Sequence, residues 1–239
     1  MERRASLPGA DELFRTTARQ PSRELTPDPD PRGGAPDVDQ LALAQLVEMA
    51  AAEDAAMSAV RGRAGYDAGL PSPAVGTLLA WVAGLLDARA VVELGSAAGY
   101  TALWLLRGMS PRGVLTSIEP DAPAQGLAVR AFSEAGVNHR VRAIAGDPLE
   151  VLPRLSDHGY DLLLVQRIGA DHARVKEHAK RLLRPGGVLV ALDVAAGLGA
   201  ELRGRRNFVQ ALIDDDAAEV GVLPLDGGVV LARFGASTP

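Results

Sequence analysis

From residue 90 onward, short apolar runs alternate with longer segments whose apolar positions recur every three or four residues. The runs Ala90-Val91-Val92-Glu93-Leu94, Val114-Leu115-Thr116-Ser117-Ile118, Val141-Arg142-Ala143-Ile144-Ala145, Asp161-Leu162-Leu163-Leu164-Val165 and Val188-Leu189-Val190-Ala191-Leu192 read as strands. Between them the spacing predicts helices over 101–109, 122–135, 148–155 and 171–183, the last stopped by Pro185-Gly186-Gly187. A further helix is expected over 205–214, and two closing strands, 218–224 and 228–233, flank the hairpin signal Asp226-Gly227-Gly228. Strand–helix alternation of this kind implies an α/β fold with a doubly wound, mostly parallel sheet covered on both faces, here ending in an antiparallel hairpin.

Upstream, Leu41, Leu43, Leu46, Val47, Met49 and Ala50 fit one helical face that runs from a cap at Asp37 to about Val60. Ser72 before Pro73 is an N-cap signal for a second helix, through about Leu86. Trp81 and Trp104 fall on apolar helical faces and are expected in the core. The first 36 residues hold six of the sixteen prolines, so they are expected to form a disordered tail. The folded domain is then 37–239, with N-terminal helices over 37–86 and a Rossmann-like core over 90–234.

At 47% hydrophobic residues the chain can bury a sizeable core. It has no cysteine, which excludes a thiolate nucleophile, a disulfide scaffold and a cysteine-based metal site. A net charge of −5 and only 4% aromatic residues argue against a nucleic-acid or anionic-membrane partner. No apolar run follows Met1–Pro8, and the longest uncharged apolar stretch, 74–86, is shorter than the roughly 20 residues a bilayer needs. A soluble, cytoplasmic protein is expected.

The chemistry concentrates at three successive strand ends. Glu93-Leu94-Gly95-Ser96-Ala97-Ala98-Gly99-Tyr100-Thr101 runs from strand through a glycine turn into a helix. Ligands of doubly wound sheets bind beyond the carboxyl ends of the strands, Gly95 and Gly99 leave room for a close approach, and a helix N-terminus offers free N–H groups. Ala97 stands where dinucleotide binders carry their second glycine, which argues against a nicotinamide-dependent oxidoreductase. Glu119 follows the second strand, where an acidic side chain can accept from ribose hydroxyls or cap the next helix. Gly146-Asp147-Pro148 follows the third, where Asp147 can border an adenine ring or cap the Pro148 helix.

These segments, with Leu182-Leu183-Arg184-Pro185-Gly186-Gly187, fall in one order and spacing. They resemble class I S-adenosylmethionine-dependent methyltransferases, and more narrowly the catechol/caffeoyl-CoA type O-methyltransferase family and its actinobacterial branch. The resemblance spans about 37–234. It implies a seven-stranded sheet and S-adenosyl-L-methionine as cofactor. Glu93, Gly95 and Gly99 would shape the pocket for the methionyl part, which Ser96, Tyr100 and Thr101 would line, and Gln166 would be a further cofactor-binding residue. Glu119 would hold the ribose, while Gly146, Asp147 and Pro148 would border the adenine. It also implies a small-molecule acceptor and a homodimer formed through residues 37–70.

The chain departs from the family pattern where metal-dependent members hold a divalent cation. Gln166 and Leu192 replace two oxygen ligands, Gly169 replaces the lysine base, and Asp193 alone keeps a carboxylate. No bound metal is expected, because magnesium needs several oxygen donors. Asp193, His172 and Asp171 remain as candidate bases. Arg203-Gly204-Arg205-Arg206 reads as a loop that is solvated or attracts an acidic substrate. The reading is O-methyl transfer to a small hydroxylated acceptor; the alternative is a catalytically silent relative that binds cofactor or a protein partner.

Overall fold

A computed structural model describes residues 38–64, 69–166 and 172–235, without the side chains of 38–41 and 172. The expected tail and the Asp37 cap lie outside the described residues. In chain order the elements are α1 (Val38–Ala50), α2 (Ala55–Ala64), α3 (Pro73–Leu85), β1 (Ala90–Leu94), α4 (Tyr100–Gly108), β2 (Val114–Glu119), α5 (Ala122–Glu134), β3 (Val141–Ala145), α6 (Pro148–Val151), β4 (Tyr160–Val165), α7 (His172–Leu182), β5 (Leu183–Ala191), α8 (Gly199–Ile213), β6 (Ala218–Leu223) and β7 (Val229–Phe234). The seven strands form one sheet in the order β3-β2-β1-β4-β5-β7-β6. The pairs among β1 to β5 are parallel, while β7 runs antiparallel to both β5 and β6. This is the doubly wound arrangement with a closing hairpin that the alternation implied.

Strand side chains alternate between two cores. Val91, Leu115, Leu162 and Leu164 pack beneath α2, α3, α4 and α5. Val92, Ile118, Leu163 and Val165 pack against α7, α8 and the turn that follows α6. Each fully buried large side chain contributes roughly 1.5–3 kcal/mol. The strand order reverses between β1 and β4, so the bend after β1 opens at the topological switch point.

Four expectations are corrected. The single helix over 37–60 is two helices, because Asp54 starts a new one: its Oδ1 accepts from the Met57 amide at 2.9 Å. Of the residues on its apolar face, Leu43, Leu46 and Met49 are exposed. Trp81 is 68% exposed, whereas Trp104 is buried; α4 crosses α3 on the face opposite Trp81, against Gly76, where an added Cβ would lie 2.4 Å from the indole nitrogen. The helix before Pro185-Gly186-Gly187 ends at Leu182 as read, but β5 starts at Leu183 and not at Val188, so those three residues lie inside it and the β4–β5 register shifts there. The 203–206 segment belongs to α8, not a loop, with Arg205 buried. The helix at 73 forms as read, with Ser72 Oγ accepting from the Val75 amide at 3.4 Å.

Candidate active site

The bend after β1 is held in a conformation that few sequences adopt. Gly95 (φ +85°), Ala97 (φ +42°), Ala98 (φ +54°) and Gly99 (φ +89°) all have left-handed backbone before α4 begins. Each alanine there costs about 1–2 kcal/mol, and such strain collects at functional sites. The space saved at Gly99 is filled by protein: an added Cβ would lie 3.1 Å from Ala128, Ala131 and Phe132 of α5. Gly99 thus lets α5 close against the bend.

Glu119 fastens that bend to β2. Its Oε2 accepts from the Ser96 amide at 2.8 Å and from Ser96 Oγ at 2.9 Å, and its Oε1 accepts from the Asp121 amide at 3.1 Å. Neighbouring backbone bonds align the strand ends: Gly95 N–H donates to Ile118 O, Gly146 N–H to Glu119 O, and Gln166 N–H to Leu94 O. The bends after β1, β2, β3 and β4 therefore share one edge of the sheet.

Beneath the bend, Glu93 is fully buried. Its carboxylate accepts from Thr101 Oγ1 and, at 2.8 Å, from Ser117 Oγ. Burial pushes its pKa up to about 8, against the two hydroxyl hydrogen bonds that favour the ionised form; the charge of Glu119 adds to the rise. Gln166, also buried, approaches the same Thr101 hydroxyl with its Nε2 at 3.5 Å. Ser117 was not among the residues read from the sequence. Its signal was present, however: it is a polar residue in a buried strand, and the parallel register sets it opposite Glu93.

The other expected residues are more dispersed. Asp147 is exposed and caps α6, accepting from the Leu149 amide at 2.8 Å, with Gly146 and Pro148 half-buried beside it. The Tyr100 ring is buried, and its hydroxyl bonds to Glu53 and Arg61 of the N-terminal helical region. No motif pointed to Glu53 or Arg61, because their partner lies about 40 residues downstream.

A small cavity lies at the carboxyl ends of β4 and β5. Pro71, Val75, Gln166, Leu192, Asp193 and Asp226 are among its lining residues. Gln166 thus faces both this cavity and the bend. Asp193 has left-handed backbone (φ +55°), and the buried Arg205 guanidinium donates to its carbonyl. Asp226 accepts from the Ser72 amide at 2.7 Å. His172 opens α7 without a described side chain, and Asp171 and Gly169 lie outside the described residues. Among the described residues no three His, Cys, Asp or Glu side chains cluster as metal ligands. Likewise, no described helix is long and apolar enough to cross a membrane.

A seven-stranded sheet closed by this hairpin, with its acidic strand ends grouped around a strained bend, has the architecture of Rossmann-like methyltransferases. A family model described as O-methyltransferase matches residues 48–234, and the chain belongs to that family of S-adenosylmethionine-dependent enzymes. A Mycolicibacterium vanbaalenii relative named "Putative O-methyltransferase" is 41% identical over 201 residues, covering 80% of this chain and 89% of its own. The solved structure of the O-methyltransferase TomG from Streptomyces achromogenes, in complex with SAM, is 28% identical with a TM-score of 0.73, covering 81% of this chain and 95% of its own. A Corynebacterium glutamicum protein of solved structure is 27% identical with a TM-score of 0.75, covering 83% of this chain and 98% of its own.

Proposed function

We propose that this chain transfers a methyl group from S-adenosylmethionine to the hydroxyl of a small acceptor, without a divalent cation. The observation that carries the reading is the grouping of Glu93, Ser96, Thr101 and Glu119 around one bend, joined through Gln166 to an adjoining cavity. These residues fit the donor. Glu119 is a rigid carboxylate at the β2 end, suited to ribose hydroxyls. The bend from Gly95 to Gly99 runs into the N-terminus of α4, a position suited to the methionyl carboxylate. Gly146, Asp147 and Pro148 lie at the β3 end, on the adenine side. When bound, the donor supplies a sulfonium-activated methyl group. What remains for the protein is largely alignment, which can lower a barrier by several kcal/mol.

The acceptor is read to bind at the mouth of the cavity beside Gln166 and Asp193, whose enclosed space is itself only about the size of a water molecule. The bound donor would supply the methyl group to the acceptor's hydroxyl oxygen, whose proton would pass to a base of this chain. Asp193, at the end of β5, is the preferred base and His172 the second. The donors at this position do not suit a hard divalent cation: Gln166 is a neutral amide, Leu192 has no donor, and Asp226 already accepts from Ser72. The same substitutions favour a second reading, a silent relative that keeps the cofactor site.

Leu43, Leu46 and Met49 leave an exposed apolar stripe along one helix. We read α1 as the site of homodimer formation, which light scattering would check. Calorimetry with S-adenosylhomocysteine tests the cofactor site, with binding at micromolar to low-millimolar ligand expected. A screen of hydroxylated acceptors with methyl-labelled donor then separates the two readings: transfer to any acceptor ends the silent one, and its absence across phenols, catechols and sugars favours it.

A further inference from the structure

Arg61 joins two parts of the molecule that the reaction would use in turn. Its Nε pairs with Glu53 at 2.8 Å, and its guanidinium carbon lies 4.6 Å from the centre of the Tyr100 ring. One Nη2 reaches both the Tyr100 hydroxyl and, at 3.1 Å, the Pro71 carbonyl. Tyr100 is the first residue of α4, between Gly99 of the bend and Thr101. Pro71 is a wall of the cavity beside Gln166. A single side chain therefore bridges the end of the cofactor bend and the wall of the adjoining cavity.

The bridge is built to persist. Tyr100 is wholly buried, and its hydroxyl bonds to Glu53 as well as Arg61. Burial, reinforced by Glu53, pushes the phenol up to about 12, so it stays protonated across the physiological range. On the cavity side, Pro71 is followed by Ser72, whose amide is held by Asp226 and whose hydroxyl caps α3. Tyr100, Arg61, Pro71 and the α3 N-terminus are thus joined by an unbroken run of contacts.

We propose that Arg61 is a positioning residue that couples occupancy of the bend to the placement of the Pro71–Val75 wall of the acceptor cavity. Occupancy of the bend then shapes the acceptor cavity. Arg61 touches neither ligand; it acts through Tyr100 and the Pro71 carbonyl. The proposal rests on the reading of the bend as the cofactor site.

The test is amide hydrogen exchange on the full chain with and without saturating S-adenosylhomocysteine, read in peptides covering 53–61 and 69–79. In the wild type the ligand is expected to slow exchange in both by about tenfold or more. In Arg61→Met, S-adenosylhomocysteine should still bind within about threefold of wild type, while the protection it confers on 69–79 falls to less than about twofold. Arg61→Lys, which keeps the charge but not the two-sided reach, should retain part of it. A merely structural role would raise exchange equally with and without ligand and leave their ratio unchanged, which overturns the proposal. Ligand binding to the wild type without protection of 69–79 also overturns it and leaves the cofactor reading intact. No binding to the wild type overturns the cofactor reading and the proposal together.

Discussion

Ser72 and Asp226, 154 positions apart, meet through a 2.7 Å hydrogen bond from the Ser72 amide to Asp226 Oδ2. Ser72 caps α3, and Asp226 sits in the β6–β7 turn with left-handed backbone (φ +47°). The contact closes the cavity edge by tying the first segment after α2 to the last turn of the chain. Asp226→Ala removes the acceptor and places alanine in a conformation that aspartate tolerates better. Urea unfolding should show a loss of about 0.5–1.5 kcal/mol, because the bond is exposed to water, with Asp226→Asn recovering most of it, since its amide oxygen still accepts.

Glu93 makes stability depend on pH in a defined direction. Its carboxyl is raised from an ordinary value of 4.5 to about 8 by burial. Between those values the unfolded chain has released this proton while the folded chain retains it. The unfolded state therefore binds fewer protons, and stability falls as pH rises through the window, then levels off above it. Glu93→Gln should flatten that fall. Urea midpoints measured from pH 5 to 8.5 should show the variant gaining on wild type as pH increases.

Glu119 offers acceptor positions both to the protein and to the proposed ribose. Ser96 and Asp121 together occupy three of its roughly four lone-pair directions. Glu119→Gln replaces one acceptor oxygen with a donor in a ring of donors. Calorimetry should show S-adenosylhomocysteine affinity reduced by about ten- to a hundredfold, as expected for loss of a charged hydrogen bond. Ser96→Ala should have a smaller effect, because the Ser96 amide still holds the carboxylate.

Ala98 carries a strain that glycine would not. At φ +54° and ψ +24° an alanine is disfavoured, while glycine loses more freedom on folding. The first effect is the larger by a few tenths to about 1 kcal/mol. Ala98→Gly should therefore raise the thermal midpoint by a few degrees.

If transfer runs without a metal, turnover with any acceptor found in the screen should change less than about twofold on adding EDTA or millimolar magnesium. A tenfold loss with EDTA, restored by magnesium, would require a ligand set other than Gln166, Leu192 and Asp193.

Much of this architecture follows from contiguous residues. The strand positions, the left-handed bend opened by Gly95, the Ser72 cap and Glu119 at the β2 end all come from short patterns in which neighbouring residues impose periodicity or turn geometry. That local signal also carried the family resemblance. Tertiary structure decided what each face meets. Trp81 and Trp104 lie on similar apolar stripes, yet only Trp104 finds a partner helix with a glycine to receive it. Tyr100 sits in the bend motif but turns its hydroxyl to Glu53 and Arg61. Ser117 reaches Glu93 only because parallel pairing puts β2 beside β1 in that register. Such partners lie tens of residues away, and which of them meet is settled by packing that no local pattern encodes.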